Sequence, residues 1–448
     1  MSEVIAAIST AQGAGGIAIV RLSGDETQSV LEKVFRPAGR KIVIDHMMTY
    51  GHAVDREGAV IDEVMAVLFK APRSYTREDV AEIHCHGGSI QAERILIACI
   101  SAGARLAQPG EFTLRAFRNG RIDLSHAEAI MRVISASSQR AAQLSQQQLS
   151  GALSKKIIHL QDRLLDMTAS VEATVDYPED DLEEQTARRI LLGIDELEEE
   201  LCALLSSSRY ARHITNGVRI CIAGAPNAGK SSLLNALIGK DRAIVTEVAG
   251  TTRDVLTESM VIDGMPLLIS DTAGLRVSGD RIERIGVELA QKEIENSDIV
   301  LLVWDMGKPL LERDREVLRA GKPVIFVKNK ADAGSAPTPD EIPGDIPAIE
   351  ISALTGDGVE ELKRLIASTV RGSDALLDIN LTEQRHADAV EEALVYLRGS
   401  REAIQAGMPL DIAALDLKNA WSALGTITGV SAPNELITRI FSNFCLGK

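Results

Sequence analysis

The sequence predicts a chain of mixed class, α/β and α. An N-terminal α/β domain is followed by a helical domain, and a second α/β domain is inserted into the helical one. Three observations lead there. Short β-type runs broken by glycine and proline fill the first 118 residues. The apolar period then lengthens to three and four, as helices require. From Val218 to Ser352, β runs and helical runs alternate, which is the rhythm of a doubly wound sheet.

The elements follow in order. Ile17–Val20, Val64–Phe69 and Val80–Ile83 read as strands, set off by Gly13, Gly15-Gly16, Pro72, Gly87-Gly88 and Pro109-Gly110. Ser125-His-Ala-Glu128 has the spacing of a capping box, which starts a helix whose apolar stripe opens with Ile130, Val133 and Ile134. After Gly151 a second helix carries Leu153, Ile157, Leu160, Leu164, Val171 and Val175 and stops at Pro178. A third carries Ile190, Ile194, Leu197, Leu201 and Leu204. Strands are then expected at Val218–Ala223, Leu267–Asp271, Ile299–Trp304, Val324–Asn329 and Ala348–Ile351. Helical texture returns after Arg371, and Leu436, Ile437, Ile440, Phe441 and Phe444 mark one face of the last helix. The boundaries drawn from these changes are 1–118, 119–216, 217–371 and 372–448, the second and fourth segments forming one helical domain.

Composition narrows the setting. A chain of 448 residues, 45% hydrophobic, has ample material for buried cores. Five cysteines, an odd number without a Cys-x-x-Cys pair, argue against a disulfide framework and for a reducing cytoplasm. No apolar run reaches the length of a membrane span. The start, with Glu3 and no basic residue before Arg21, argues against a signal or transit peptide. The net charge is −16, so an RNA-binding role would need a local basic patch or a partner.

The chemistry is carried by four motifs. Gly224-Ala-Pro-Asn-Ala-Gly-Lys-Ser231 fits GxxxxGK[ST] between a strand and a helix. Its N–H groups can surround a β-phosphate, helped by the helix N-terminus. Lys230 would reach the β- and γ-phosphates and Ser231 would hold Mg²⁺, with Asn227, Ala228, Gly229 and Ser232 lining the same loop. Asp271-Thr272-Ala273-Gly274 closes another strand, where Asp271 can hold Mg²⁺ through water and Gly274 N–H can contact the γ-phosphate. Thr251-Thr252 lies between the two, and a threonine there can complete the Mg²⁺ shell. Asn329-Lys330-Ala331-Asp332 offers a carboxylate for guanine N1–H and the exocyclic amine, a donor pair that adenine lacks. Ser352-Ala353-Leu354 follows the next strand, where a backbone N–H can meet guanine O6.

In this order, each at a strand end, the four motifs resemble those of the Ras-like GTPase superfamily. One position departs from that pattern. Many such GTPases carry Gln after the Asp-Thr-Ala-Gly run to orient the attacking water. Here it is Leu275, which cannot hydrogen-bond, so another group must place the water. Arg276, Asp280, Arg281, Glu283 and Arg284 are nearby, and Asn227 could hold a monovalent cation.

The flanking domains are similar to one family along the whole chain, the tRNA-modifying GTPases MnmE (TrmE). The residues that carry this are Gly15–Gly24, His86-Gly-Gly88, Pro109-Gly-Glu-Phe112, Arg115-Ala-Phe117 and Asp123–Ala129. Asn227–Asn235, Glu247–Asp254 and the terminal Phe444-Cys-Leu-Gly-Lys448 add to it. The family usually ends in Cys-Ile-Gly-Lys, so Leu446 is a mild departure.

The resemblance implies an N-terminal folate-binding and dimerisation domain and a helical domain interrupted by a Ras-like P-loop GTPase domain. It implies a tRNA substrate, a flavoprotein partner, MnmG (GidA), in a heterotetramer, and a homodimer of the chain itself. The pair would add aminomethyl or carboxymethylaminomethyl groups to C5 of a wobble uridine, with 5-formyltetrahydrofolate or a relative as one-carbon source. Arg21, Glu82, Arg121 and Lys448 match the folate contacts. Asn227 and the carbonyls of Thr246, Val248 and Thr251 match a K⁺ site, and Ser231 and Thr252 match the Mg²⁺ ligands. Glu247, Ala249 and Gly250 complete the GTP-facing segment, and Glu283 matches the acid that places water through a second water. Cys445 stands where a catalytic thiol would.

Plainer readings compete at several residues. Arg21, before a turn at Ser23-Gly24, is either a strand-end ligand or a surface charge. His84-Cys85-His86 alternate across a strand and cannot all face one metal ion. The acids between Glu172 and Glu200 read as a solvated face. A regulatory GTPase, for instance in ribosome assembly, would share the four motifs but lack the N-terminal signatures and the terminal Cys-Leu-Gly-Lys. A GTPase that only scaffolds MnmG would share the whole sequence.

Overall fold

The computed structural model describes residues 2–11, 13–39, 44–176, 180–206, 208–239, 257–271, 291–306, 308–371, 379–444 and 447. These fall into two compact units, 1–131 with 425–448, and 132–424.

The first unit is built on seven strands: β1 (Ile5–Ile8), β2 (Ile17–Ser23), β3 (Phe35–Pro37), β4 (Thr49–Val54), β5 (Val60–Phe69), β6 (Val80–His86) and β7 (Arg105–Leu106), in the order β3-β4-β5-β6-β2-β1-β7. Neighbours are antiparallel except β1 and β7. Period-two alternation sets the faces. Ala18, Val20 and Leu22 of β2 and Ala81, Ile83 and Cys85 of β6 join a core with Val30, Leu31 and Val34 of helix Thr27–Val34 and Ile95 and Cys99 of helix Ser89–Ser101. Arg21, Glu82 and His84 are therefore on the opposite face. The last helix, Asn434–Ser442, belongs to this unit. Its Phe441, with Phe444 beyond its end, packs on Leu124 and Ala127. Gly110 permits that approach, since a Cβ there would lie 2.3 Å from Phe441 O.

In the second unit, helices Gln139–Leu149, Ala152–Asp176, Asp180–Ser206 and Ser208–Asn216 precede a second sheet, and helices Gln384–Gln405 and Leu410–Thr428 follow it, the last running on past residue 424. The expected stripes are buried, Leu153 to Val171 on one helix and Ile190 to Leu204 on the next. Val175 is half exposed instead. The second sheet comprises β8 (Val218–Gly224), β9 (Thr257–Ile262), β10 (Met265–Asp271), β11 (Ile299–Asp305), β12 (Val324–Asn329) and β13 (Ala348–Glu350), in the order β13-β12-β11-β8-β10-β9. Only β9 runs antiparallel. β8 lies between β10 and β11, so the strand order reverses there, and the carboxyl ends of these strands are where sheets of this kind take their ligands.

The helix expected from a capping box at Ser125 begins one residue earlier, at Leu124. Asp123 does the capping: its Oδ1 accepts from His126 N at 2.9 Å and from Ser125 Oγ at 2.9 Å. A carboxylate at the positive end of the helix is the better acceptor, and it engages the hydroxyl that the sequence pattern assigned as cap.

Candidate functional site

The phosphate-type loop leaves the carboxyl end of β8 and enters helix Lys230–Ile238. Two glycines make its path possible. Gly224 has φ +138°, and a Cβ there would lie 2.2 Å from Val303 O of β11. Gly229, at φ +97°, starts the helix where a Cβ would lie 2.2 Å from Asn329 Nδ2. Asn227, exposed at the loop's crest, also has positive φ, 61°, which Asn tolerates better than most residues. Lys230 is buried, and its Nζ donates to Gly224 O at 2.9 Å and Ala225 O at 2.8 Å. The ammonium is thus held over the loop by the loop's own carbonyls. Ala228 is fully buried, whereas Ser231 and Ser232 are exposed on the first helical turn.

The end of β12 is tied to this loop through one side chain. Asn329, last in β12 and 2% exposed, donates from Nδ2 to Ala228 O at 2.8 Å and accepts at Oδ1 from Ala353 N at 3.0 Å. Lys330, at φ 72°, sends Nζ to Asp305 Oδ2 at 2.8 Å. Burial pushes the Asp305 carboxyl up, but hydrogen bonds and charge from Lys308 and Lys330 hold it below the usual carboxylate value. Ala331–Ala333 form a 3₁₀ turn, anchored by Ala331 N on Ile351 O at 3.1 Å. It presents Asp332, exposed, with Oδ1 accepting from Ser352 Oγ at 2.5 Å. Ser352 is buried and Leu354 is 84% exposed. Asp305 escaped the sequence reading, and its signal was a carboxylate ending the apolar run of β11. Asp271 ends β10, in register with Ile222 of β8. Thr246, Glu247, Val248, Ala249, Gly250, Thr251, Thr252, Thr272, Ala273, Gly274 and Glu283 lie outside the described residues, as do Cys445 and Lys448.

A second cluster occupies the first unit. Arg21 and Glu82 are cross-strand partners on β2 and β6, with Arg21 Nε 2.9 Å and Nη2 2.8 Å from Glu82 Oε1. The other carboxylate oxygen is 3.1 Å from His84 Nε2. The Arg21 guanidinium lies over Tyr75 at 5.3 Å and Phe112 at 5.9 Å from the ring centroids. Arg121 lies over the same Tyr75 ring at 4.8 Å, and its Nη1 donates to Tyr75 O at 2.9 Å. Arg21 and Arg121, a hundred positions apart, therefore meet over one aromatic ring, and Arg21 holds Glu82 as well. Arg21 is interior to β2, which runs on to Ser23, so the strand-end placement expected from Ser23-Gly24 is corrected. Tyr75, Phe112 and His84 were not foreseen as members. The only signal for Tyr75 was an aromatic residue in a polar loop. Gly447 also reaches this unit: Ser9 Oγ donates to its carbonyl at 2.9 Å. In the His-Cys-His run, Cys85 points to the core and donates to Ala18 O at 3.4 Å, while His86 Nδ1 is 2.8 Å from Asp62 Oδ1.

A mainly parallel sheet with a glycine-bounded loop at the end of one strand, and an exposed carboxylate just beyond another, is the frame on which P-loop GTPases are built. The second unit belongs to that class. Its flanks decide which kind. The profile of the MnmE helical domain matches residues 124–445, and that of the GTP-binding protein TrmE N-terminus matches residues 4–121. The tRNA modification GTPase MnmE of Levilactobacillus brevis is 43% identical over 456 aligned positions, covering 100% of this chain and 98% of that protein. The protein of the same name from Streptococcus pneumoniae is 42% identical, covering 100% and 99%. The G domain of the T. maritima FeoB iron transporter is 29% identical over 34% of this chain and 97% of that one, with a TM-score of 0.25. The chain belongs to the MnmE family of tRNA modification GTPases. Among the described residues no helix is long and apolar enough to cross a membrane.

Proposed function

We propose that the chain couples GTP hydrolysis to modification at C5 of a wobble uridine, acting with a flavoprotein of the MnmG (GidA) type in a heterotetramer. In this reading residues 1–118 bind a folate and hold two copies of the chain together. Residues 217–371 are the GTPase, and 119–216 with 372–448 are the helical domain. The setting is cytoplasmic.

The observation that carries this reading is that Arg21 and Arg121 both lie over the Tyr75 ring while Arg21 also holds Glu82. A reduced folate has an aromatic pterin with an edge of N–H donors and a tail of carboxylates. The donors suit a carboxylate such as Glu82, the ring suits Tyr75, and the tail suits arginine. Lys448, one residue after Gly447, would add a cation. Folate supplies the one-carbon unit when bound. The protein residues orient it, and Cys445 is the candidate nucleophile at the same terminus.

On the GTPase side, the carbonyl-bound Lys230 ammonium would exchange Gly224 O and Ala225 O for phosphate oxygens. Ser231 and Thr252 would hold Mg²⁺, which supplies charge neutralisation on the phosphates. Asn227, with the carbonyls of Thr246, Val248 and Thr251, would hold K⁺. Glu283 would orient the attacking water in place of the glutamine that Leu275 replaces. Two GTPase domains would meet across their nucleotide faces as that segment orders.

Mass spectrometry of tRNA nucleosides tests the chemistry. A deletion strain should lack the C5-modified wobble uridine. The parent chain should restore it and Glu82→Gln should not. Calorimetry of the full chain with 5-formyltetrahydrofolate should show binding that Glu82→Gln weakens at least about tenfold, or about 1.4 kcal/mol. Unchanged nucleosides in the deletion strain would overturn the activity, and an absence of folate binding by folded protein would overturn the pocket.

A further inference from the structure

A family that acts on tRNA must grip a polyanion, yet this chain carries a net charge of −16. Most of its surface repels RNA, so the contact has to be local. The arginines of the first unit differ in how far their charge is neutralised. Arg105 and Arg115 are neutralised by Glu111, with Glu3 and Glu78 as second partners. Arg73 is drawn to Asp45 at 3.2 Å. Arg77, Arg118 and Arg121 are exposed, and none of the three has a carboxylate partner among the described residues.

Hydrogen bonds hold the loop of Arg77 against the segment that carries Arg118 and Arg121. Arg77 Nη1 donates to Asn119 O at 3.0 Å, and Asn119 Nδ2 donates to Thr76 O at 2.7 Å. Arg121 Nη1 donates to Tyr75 O at 2.9 Å. The loop 75–77 is thereby zipped to the end of helix Glu111–Arg118. Arg77 has φ 60°, a left-handed conformation that a side-chain-bearing residue adopts at a cost. Strain of that kind persists where the surroundings impose it, and it gathers at binding sites. Here it fixes a guanidinium at a loop tip. The cluster adjoins Tyr75, the ring shared by Arg21 and Arg121.

We propose that Arg77 and Arg118 form a phosphate-backbone clamp for the RNA substrate, placing it beside the cluster of Arg21, Glu82, Tyr75 and Arg121. The inference rests on the tRNA-modification reading and adds the surface through which RNA is held. Guanidinium groups suit it because each can meet a phosphate with paired donors. Such contacts position RNA without reading its sequence.

The test is fluorescence anisotropy of labelled, unfractionated tRNA with the full-length chain across a KCl series. The double variant Arg77→Glu/Arg118→Glu should lower affinity tenfold or more, and the slope of log affinity against log salt should shrink by about two. Basal GTP hydrolysis should be unchanged. Arg77→Gln/Arg118→Gln, a milder change checked by circular dichroism, should fall between the parent and the charge reversal. If those arginines only complement the helix C-terminus, melting temperature will drop while tRNA affinity and slope stay at the parent's, and the clamp is wrong. Parent protein that binds phosphatidylglycerol vesicles but not tRNA also overturns it. Nucleoside mass spectrometry reads the modification chemistry separately, so failure of the clamp and failure of that chemistry are distinguishable.

Discussion

Gly229 and Asn329 face each other so closely that the glycine's missing Cβ would lie 2.2 Å from the asparagine Nδ2. Asn329 is the bolt between the phosphate loop and the base end, through Ala228 O and Ala353 N. A methyl group at 229 must push that amide out of both hydrogen bonds, at φ +97°, where it is already strained. We expect Gly229→Ala to cost about 2 kcal/mol or more, from the left-handed backbone and the lost hydrogen bonds. GTP affinity should fall with it. Thermal melting and titration with a fluorescent GTP analogue check both, and an unchanged affinity would show that the bolt does not serve the nucleotide.

Asp332 is exposed, with one oxygen on Ser352 Oγ at 2.5 Å, which aims its carboxylate. Asp332→Asn swaps an acceptor for a donor opposite guanine's donors. Loss of charged hydrogen bonds is worth about 1.5–3 kcal/mol. GTP should therefore bind about tenfold to a hundredfold more weakly, and xanthosine triphosphate, which offers an acceptor, should bind better than GTP. Competition between the two nucleotides measures the preference.

These two sites differ in how far the sequence exposes them. The Asn329–Asp332 and Gly224–Ser231 runs are contiguous, so their chemistry is spelled in order. Strands β8, β10, β11 and β12 were equally plain, because parallel strands covered on both sides read as unbroken apolar runs. β9 was missed: Thr257–Ile262 is an antiparallel edge strand whose Thr-Glu-Ser start masks its apolar end. β4, Thr49–Val54, was missed too, because Gly51 breaks its pattern. The structure needs that glycine, since a Cβ there would lie 2.2 Å from Arg36 O. The Tyr75 cluster was half legible. A resemblance supplied Arg21, Glu82 and Arg121, but nothing local in the chain says that residues 21, 75, 82, 84, 112 and 121 share one face. Strand pairing brings residues 21, 82 and 84 to it, and the packing of loop 75–77 and helix Glu111–Arg118 brings the others.

His86 and Asp62 give a pH signature. A hydrogen bond from His86 to Asp62, with Asp62's charge, raises the His86 imidazole above its ordinary 6.5. Burial pushes Asp62 up, but His86 pulls it below its ordinary 3.8. A raised histidine contributes stability that is fully present below 6.5 and lost as pH rises through its folded value. A lowered aspartate contributes stability present above 3.8 and lost as pH falls through its folded value. The pair therefore helps most between about pH 4 and about pH 6.5. The melting-temperature gap between the parent and Asp62→Asn should be widest near pH 5.5 and narrow towards pH 8.5. A gap that is flat across this range would mean that the pair contributes nothing by charge.

The last prediction concerns the cation proposed at Asn227. Leu275 leaves the site without the usual water-orienting amide, and a bound K⁺ would neutralise charge where an arginine finger acts in other GTPases. Asn227 is exposed at the crest of the loop with φ 61°, so its carboxamide is free of the core. Glycine accepts that backbone conformation without strain, which makes Asn227→Gly a clean deletion of the amide. At equal ionic strength and saturating Mg²⁺, the parent should hydrolyse GTP at least about tenfold faster in KCl than in NaCl, a barrier difference of about 1.4 kcal/mol. Asn227→Gly should lose that difference while binding GTP nearly as tightly, because the effect belongs to the transition state. Glu283→Ala should hydrolyse slowly in both salts if Glu283 orients the water as proposed, since that role is independent of the cation. Equal parent rates in the two salts would remove the cation from the mechanism. A salt preference that survives in Asn227→Gly would keep the cation and move its ligand elsewhere.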